Sequence, residues 1–511
     1  MHSRYVIMKN RLLAALLCFC LLAGLLPVQA AAQQTDAVDI SGMELVTAES
    51  GFPNVEALFD GKLLSGKKSE DTASLTLEYA GGIGSLYFLF DITCGPYTIT
   101  DNATGKAHTA GTEGFLHEFV DLTAAFGTAP ASITIDFTGG SVKLYELYVY
   151  TEGKVPQSVQ KWEIPVDSRT DLVLFSAHGD DEQLFFAGVL PYYAGQLGYQ
   201  VQVVYLTDHR ADNTQRIHEM LNGLWAVGVT AYPVFGNFPD FIIKHDLALT
   251  YAVYKSRGYP REDLLGFVVE NLRRFKPLVA VTHDVNGEYG HGMHMAYADL
   301  LMEAVTITND ASRYPESAEK FGLWDTPKAY LHLYEENPVI MDWDQPLAHF
   351  DGMTAFEVTQ QLGFPCHISQ YRDFAWYHTY VKTAKEVTKY NPCYYGLYRS
   401  TVGADVQKND FFENLISYTE QARLAEEARL AEEARLAEEA RLAEERRLAE
   451  EARLAEQARL AEEARIAEEC RLAEEAARQR TIVLTVIAAG SICAIVLITA
   501  LLRRKKVKTP Q

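Results

Sequence analysis

A cluster of one imidazole and three carboxylates follows an apolar run near the middle of the chain. The run at 172–175 (LVLF) is soon followed by His178, and Asp180, Asp181 and Glu182 come next. Adjacent carboxylates repel one another, so such a cluster costs stability unless it is solvated or shares a cation. The sequence therefore predicts either a solvated loop or a site for a positive ion.

A second polar group lies far downstream, in the stretch VTHDVNGEYGHGMHMAYADLL (281–301). His291 and His294 are three residues apart, so both face one side if this stretch begins a helix. Two imidazoles and a carboxylate around an open position are the ligand set of a catalytic zinc ion. A dication would also offset the repulsion in the acidic cluster. For His283, at the start of the stretch, we favour a structural hydrogen bond.

The pattern between residues 170 and 415 indicates which elements position these groups. Apolar strands alternate with helical segments, among them a predicted helix over 182–196 directly after the acidic cluster. Such alternation is typical of an α/β fold, here a Rossmann-like, mostly parallel sheet with helices on both faces. Ligands of these sheets bind at the carboxyl ends of the strands, where both polar groups lie. We expect no role in the site for His209, His218 and His367.

These motifs carry a family resemblance. Residues 170–415 resemble the PIG-L / LmbE-like zinc-dependent de-N-acetylases, whose signature is similar to AHPDDE followed far downstream by GEYGHxxH. The family removes acetyl from N-acetylglucosamine in the glycosylphosphatidylinositol, mycothiol and bacillithiol pathways. The resemblance implies zinc ligands at His178, Asp181 and His294. It implies that Asp180 is the general base, and that His291 stabilises the oxyanion and protonates the leaving amine.

The resemblance also implies supporting roles around these five residues. Glu182 would orient a metal ligand from outside the coordination shell. Arg216 and Asp240 match positions that contact the sugar or its aglycone, and we predict that Tyr289 closes over the substrate. The family's usual proline is Gly179 here, which leaves the backbone freer between a ligand and the base. This difference puts activity in question.

The N-terminal region has a different pattern. Residues 36–150 contain short alternating apolar runs separated by turn residues, which predicts an all-β sandwich. The opening VEALFDGK (55–62) and the closing KLYELYVY (143–150) resemble a discoidin or galactose-binding-like jelly roll. A carbohydrate-binding domain and a purely structural sandwich both remain open. Residues 151–169 are the predicted linker to the α/β domain.

A six-residue repeat, RLAEEA, fills residues 423–476. Six residues advance an α-helix by about 600°, so successive leucines fall on three faces rather than on one coiled-coil stripe. Arg and Glu recur at i+3 and i+4 spacing, and each such pair stabilises a helix by about 0.2–0.5 kcal/mol. We therefore predict a single long helix over 420–480, a spacer rather than a tight coil. A disordered charged linker is the alternative.

Both ends of the chain carry segments typical of membrane targeting. Residues 1–32 combine basic residues, an apolar core and small residues, which predicts a secretory signal peptide. Residues 481–502 are uncharged and long enough for a transmembrane helix. The basic tail 503–511 follows and would remain cytoplasmic. We expect a single-pass cell-membrane protein whose N-terminal ectodomain is extracellular.

Charge and cysteine content limit the partners. The formal net charge is −22, which argues against nucleic acid as a partner. Four cysteines lie outside the signal and membrane segments, and Cys366–Cys393 is a candidate disulfide that the sequence alone does not decide. The oligomeric state is also left open. An aromatic segment at 371–381 fits either a sugar platform or core packing.

The function expected from these features is that of a membrane-anchored extracellular zinc-dependent hydrolase. It would remove acetyl from an N-acetylglucosamine-type glycan or glycoconjugate, at a bacterial cell surface. One alternative is a non-catalytic glycan-binding adhesin with a degenerate deacetylase domain. Another is an amide hydrolase that acts on a non-sugar substrate.

Overall fold

The computed structural model describes residues 35–63, 65–91, 94–209, 214–370 and 380–505. The predicted signal peptide, most of the aromatic segment at 371–381 and most of the basic tail lie outside the described residues. The chain divides into two compact units, one ending at Gln421 and the other beginning at Ala422.

The N-terminal region contains two antiparallel sheets. Its strands are β1 (Val46–Ser50), β2 (Ala73–Glu78), β3 (Ser85–Phe90), β4 (Tyr97–Asp101), β5 (Ala107–Ala110), β6 (His117–Asp121), β7 (Ser132–Phe137) and β8 (Leu144–Tyr150). One sheet has the order β1-β2-β7-β4-β5 and the other β6-β3-β8. Side chains alternate between buried and partly exposed along β2 and β7, as expected where one face of a sheet covers a core. The region is not purely β, because the short helix α1 (Leu122–Phe126) follows β6.

A third sheet, with seven strands, occupies the region from residue 172 to residue 400. Its strands are β9 (Leu172–Ser176), β10 (Val201–Thr207), β11 (Val234–Phe238), β12 (Val279–Thr282), β13 (Lys328–His332), β14 (Pro338–Ile340) and β15 (Tyr394–Ser400). The order is β11-β10-β9-β12-β13-β15-β14. The first five strands are parallel, and β15 and β14 pair antiparallel. The carboxyl ends of β9 to β13 therefore meet at one edge.

Helices accompany this sheet. They are α2 (Asp181–Leu184), α3 (Thr214–Ala226), α4 (Leu247–Ser256), α5 (Arg261–Phe275), α6 (Gly292–Ile307), α7 (Pro315–Phe321) and α8 (Ala355–Val358). In β9, Leu172 and Leu174 belong to one apolar core, and Val173 and Phe175 to a second core. Alternate side chains point to opposite faces of a sheet, so β9 is buried on both sides, which explains its unbroken apolar sequence.

The helix predicted over 182–196 is wrong as a continuous element. Helix α2 ends at Leu184, and a separate π-helix covers Pro191–Gln196. Between them Gly188 has φ 96°, and a Cβ placed there would lie 2.4 Å from Cγ of Trp343. The chain turns at Gly188 because only glycine fits a left-handed backbone pressed against an indole ring.

The N-terminal sheets pack against α3 of the second region. Nε2 of His117 on β6 lies 2.7 Å from Nδ1 of His218 on α3, and both side chains are buried. Nε2 of Gln160 donates to Oδ1 of Asn222, also on α3, at 2.6 Å. Trp162, in the predicted linker, is itself buried. The two regions therefore share an interface instead of being joined by a loose linker.

The described residues of the second unit are helical. Helix α9 (Tyr418–Lys505) includes all the hexads and the apolar segment that follows them. Arg429 forms ion pairs with Glu426 at i−3 (2.6 Å) and with Glu433 at i+4 (2.5 Å), and later hexads repeat this pattern. By length and composition alone, this helix contains one stretch apolar enough to cross a membrane.

The candidate disulfide between Cys366 and Cys393 is not formed. Both residues are free thiols. Sγ of Cys366 donates to the carbonyl of Leu362 at 3.3 Å, whereas Cys393 is buried at the start of β15.

Candidate metal centre and active site

The two sequence motifs meet at the carboxyl edge of the parallel sheet. The loop after β9 supplies His178, Asp180 and Asp181, and the beginning of α6 supplies His291 and His294. All five side chains are buried, with at most 4% of their surface exposed. The parallel pairing of β9 with β12 brings the two loops together, because adjacent parallel strands end at the same edge.

Three atoms in this group lie at the spacing of metal ligands. Nδ1 of His178 is 3.0 Å from Oδ2 of Asp181 and 3.1 Å from Nε2 of His294. Nε2 of His294 is 3.2 Å from the same Asp181 oxygen. Tetrahedral zinc with bonds of about 2.0–2.2 Å holds its ligand atoms roughly 3.3–3.5 Å apart. The donor set suits zinc, and its atoms lie slightly closer together than the ligands of a bound ion would.

Electrostatics also favour a cation at this position. Although burial favours the neutral acid, His294 and His178 hold the pKa of Asp181 well below its usual range. The charges of Asp181 and Asp240 outweigh burial and raise the pKa of His178 to about 10. In the absence of metal, protons would supply the positive charge that the carboxylates attract, and metal binding must displace them.

Two carboxylates contact the imidazole groups of the proposed ligands. Nδ1 of His294 donates to Oε2 of Glu288 at 2.8 Å, and Nε2 of His178 lies 3.3 Å from Oδ1 of Asp240. Contacts of this kind fix the tautomer and orientation of a ligand histidine. We expected this function of Glu182. Its Oε1 instead lies 3.0 Å from Nε2 of His367, a residue for which we had expected no role.

Glu288 was missed in the sequence, although it lies inside the GEYGHGMH motif. Besides His294, its carboxylate accepts from Nδ1 of His283 (2.8 Å) and from Nδ1 of His332 (2.6 Å). Burial alone would favour the neutral acid, but these histidines hold the pKa of Glu288 well below its usual range. His332 could have been found from its position at the end of β13, next to β12.

Asp180 lies beside the three candidate ligands and directly precedes α2. Burial, with the nearby charges of Asp181 and Glu182, raises the pKa of its carboxyl group, and the charge of Arg216 opposes this shift. The Arg216 guanidinium on α3 lies 3.3 Å from Oδ1 of Asp180. A carboxylate of raised pKa accepts a proton more readily. Its placement suits the general base implied by the sequence motif.

His291 is the residue that precedes the first turn of α6. Its Nδ1 accepts from the backbone N–H of Met293 at 3.3 Å. In a neutral imidazole the other nitrogen then carries the proton. That nitrogen, Nε2, lies 3.7 Å from Oδ1 of Asp240. The helix N-terminus thus fixes the tautomer in which His291 can donate a hydrogen bond from Nε2.

A small cavity of about 230 Å³ opens onto these groups. It is lined by His178, Asp180, Arg216, Asp240, Ile242, Lys244, Tyr289, His291 and Gln370. Small-molecule sites typically have volumes upward of about 300 Å³, so this cavity suits one compact group and the rest of a larger ligand would lie outside. The predicted substrate contacts Arg216, Asp240 and Tyr289 all line it, whereas Ile242, Lys244 and Gln370 were not foreseen.

Tyr289 occupies this wall in a costly conformation. Its φ is 46°, a left-handed value that costs a non-glycine residue about 1–3 kcal/mol. Gly287 and Gly290 on either side also have positive φ. Its ring packs against those of His291 and His294, with centroids 5.5 and 5.3 Å away. The surrounding turn therefore holds the phenol ring over the histidines.

Comparisons with known proteins agree with the motif. Residues 173–305 match the PIG-L family model, described as GlcNAc-PI de-N-acetylase. A deacetylase of Catenulispora acidiphila, named for 1D-myo-inositol 2-acetamido-2-deoxy-alpha-D-glucopyranoside, is 27% identical over 216 residues, covering 38% of this chain and 65% of the relative. A namesake from Rhodococcus erythropolis is 30% identical over 190 residues, covering 32% and 62%. The chain thus spans just under two thirds of the length of these curated relatives.

Two further similarities concern structure and the repeats. The structure of N,N'-diacetylchitobiose deacetylase from Pyrococcus horikoshii aligns with 45% of this chain and 84% of that one, at 15% identity and a TM-score of 0.33. A family model described as a coiled coil matches residues 412–489. The motifs, their meeting at one sheet edge and the match in sequence lead to one conclusion. Residues 173–305 are a PIG-L family domain.

Proposed function

We propose that this chain is a zinc-dependent hydrolase that removes acetyl from an N-acetylglucosamine-type glycan or glycoconjugate. The observation that carries the proposal is the triangle of His178, Asp181 and His294 with Asp180 beside it. A structural metal site would need the triangle and a fourth ligand but no neighbouring base. The names of the relatives that share the domain support the same reaction class.

The proposed zinc ligands are His178, Asp181 and His294. When bound there, zinc would lower the pKa of water and polarise the amide carbonyl. Asp180 accepts a proton from the attacking water while the water oxygen bonds to the acetyl carbon. The Nε2–H of His291 donates to the carbonyl oxygen, on which negative charge develops.

Breaking the carbon–nitrogen bond completes the reaction. The leaving nitrogen needs one proton, which matches the proton taken up by Asp180. Asp180 returns that proton to the nitrogen while the Nε2–H of His291 stays hydrogen-bonded to the carbonyl oxygen. The products are a primary amine and acetic acid, which loses its hydroxyl proton to become acetate. Arg216 pairs with Asp180 and lines the same cavity, where its guanidinium group and the carboxylate of Asp240 suit sugar hydroxyls. The small volume of the cavity is consistent with one N-acetylated sugar ring entering it.

The proposal extends to location. The signal-like segment 1–32, the long helix and the apolar stretch 481–502 support a single-pass protein with its ectodomain outside the cell membrane and residues 503–511 inside. The hexad helix would raise the enzyme from a bacterial cell surface. Protease treatment of intact cells tests this topology. If the ectodomain lies outside the membrane, the protease should remove it and leave the tail with the cells.

Zinc analysis together with acetate release tests the reaction. The wild type should hold one zinc per chain and release acetate from N-acetylglucosamine oligomers. Asp180→Ala should keep the metal and lose turnover, whereas His294→Ala should lose both. The exposed residues Asp263 and His349 provide matched controls, and Asp263→Ala and His349→Ala should change neither.

The same experiment separates the alternatives. Bound zinc without acetate release from any N-acetylated sugar would favour the glycan-binding adhesin. Release of acetate only from non-sugar amides would favour the general amide hydrolase. Near-normal turnover by Asp180→Ala would remove the assigned base. A metal-free wild type would remove the hydrolase proposal altogether.

A further inference from the structure

The loop that carries the proposed metal ligands is held on both sides by histidines outside the ligand set. The backbone N–H of Ala177 donates to Nε2 of His283 at 2.9 Å. The N–H of Gly179 donates to Nε2 of His209 at 3.1 Å. His283 follows β12 and His209 follows β10, the strands on either side of β9. Both strands that flank β9 therefore contribute one imidazole acceptor.

The contact at His209 depends on glycine at position 179. A proline at this position would carry no backbone N–H and could not donate to His209. Space is limiting as well, because a Cβ built on Gly179 would lie 2.2 Å from Sδ and 2.4 Å from Cε of Met220. Met220 therefore fills the volume that a larger residue at 179 would need. His209 and Met220, the two neighbours of position 179, therefore both suit glycine.

His209 is placed to act as a hydrogen-bond acceptor. Its side chain is 1% exposed, and burial favours the neutral imidazole. Its Nε2 must accept from the Gly179 N–H, which can only donate, and the Thr207 hydroxyl lies 2.9 Å from the same nitrogen and 2.7 Å from the Ala177 carbonyl. A neutral imidazole with its proton on Nδ1 meets this requirement.

We propose that His209, acting through the Gly179 N–H, is a positioning residue for the loop between His178 and Asp180, and that Met220 closes the space beside it. It fixes the peptide between His178 and Asp180, and so sets both a metal ligand and the general base. This inference rests on the proposed function, since it assigns His209 to the same site. If His209 has this role, Gly179 is compatible with an active site that works.

Substitutions at His209 in the full-length protein test the inference. His209→Leu leaves a buried N–H unsatisfied, a loss that corresponds to roughly tenfold to hundredfold in an equilibrium or rate constant. We expect zinc affinity, measured by chelator competition, and kcat each to fall by about this factor, with KM within twofold because His209 is not among the cavity-lining residues. His209→Gln keeps an acceptor oxygen and should recover most of both. His349→Leu is the control.

A reciprocal pair of variants addresses the glycine. Gly179→Pro alone should lose zinc affinity, through collision with Met220 and loss of the N–H. In the Gly179→Pro background, His209→Leu should add less than threefold to the loss, because the N–H that His209 accepts is already absent. Thermal unfolding of each variant identifies those that fail to fold. If the Gly179 variants fail to fold, the comparison of His209→Leu with His209→Gln tests the inference.

The outcomes separate this inference from the proposed function. His209→Leu with zinc affinity and kcat within twofold of wild type would overturn it, as would His209→Gln that is as impaired as His209→Leu. A wild type that binds zinc and releases no acetate would overturn the proposed function. In that case the zinc affinities of His209→Leu and His209→Gln would still test the role of His209.

Discussion

Glu288→Gln is the substitution that most directly tests how the ligand histidines are held. Glu288 accepts from the Nδ1 atoms of His294, His283 and His332 at 2.8, 2.8 and 2.6 Å. Glutamine keeps the shape of the side chain but replaces one acceptor oxygen with an NH₂ donor. Whichever way the amide turns, that donor faces at least one imidazole N–H. At least one charge-assisted bond is lost.

The expected magnitude follows from this count. A hydrogen bond to a charged group contributes about 1.5–3 kcal/mol, and each 1.36 kcal/mol is about tenfold in an equilibrium constant. One lost bond therefore corresponds to about 10–150-fold, which agrees with the 10–100-fold that outer-shell substitutions typically cost in metal affinity. We expect Glu288→Gln to weaken zinc binding by about this factor and to lower the melting temperature.

Competition titration with a zinc chelator measures the affinity, and thermal unfolding with and without zinc measures the stability. Glu316→Gln, an exposed change on α7, is the control and should match wild type. Zinc affinity of Glu288→Gln within twofold of wild type would refute the reasoning, because the buried carboxylate would then not be orienting His294.

Three further predictions address other parts of the molecule. Arg216→Met removes the positive charge that opposes the raised pKa of Asp180, so that pKa should rise further; a base works above its pKa, and the acidic limb of the kcat profile should shift to higher pH. Removal of metal with a chelator should lower the melting temperature, and zinc should restore it, since the carboxylates lose their counter-charge. His117→Leu breaks the buried contact with His218 and should destabilise the protein by about 1–3 kcal/mol in urea unfolding, whereas His349→Leu should not.

The sequence was most informative where chemistry and strand ends coincide. The AHGDDE and GEYGHGMH motifs predict two groups at the carboxyl ends of parallel strands, and in the structure they meet across β9 and β12. Spacing along the chain was sufficient there, because the ends of adjacent parallel strands must share an edge. The i+3 and i+4 pairs of the hexads are likewise local, and the ion pairs of Arg429 follow from helix geometry alone.

Other features depend on contacts that no local pattern encodes. Glu182 is adjacent to a proposed ligand in sequence but lies against His367, and Glu288 takes the supporting role from the other motif. The break at Gly188 depends on Trp343, far along the chain. His209 was set aside because a single histidine after a strand has no distinctive spacing; its partner is a backbone N–H that exists only because residue 179 is not proline.

Helix α3 has a consequence for how the protein can be divided. It contacts strand β6 through His218, the segment 151–169 through Asn222, and the loop of the proposed active site through Arg216 and Met220. A fragment cut at residue 170 would expose one side of this helix to solvent. That side lies close to Asp180 and Arg216. Recombinant versions intended for enzymology should therefore retain both halves, and grafting the catalytic half onto a foreign module would require redesign of that side.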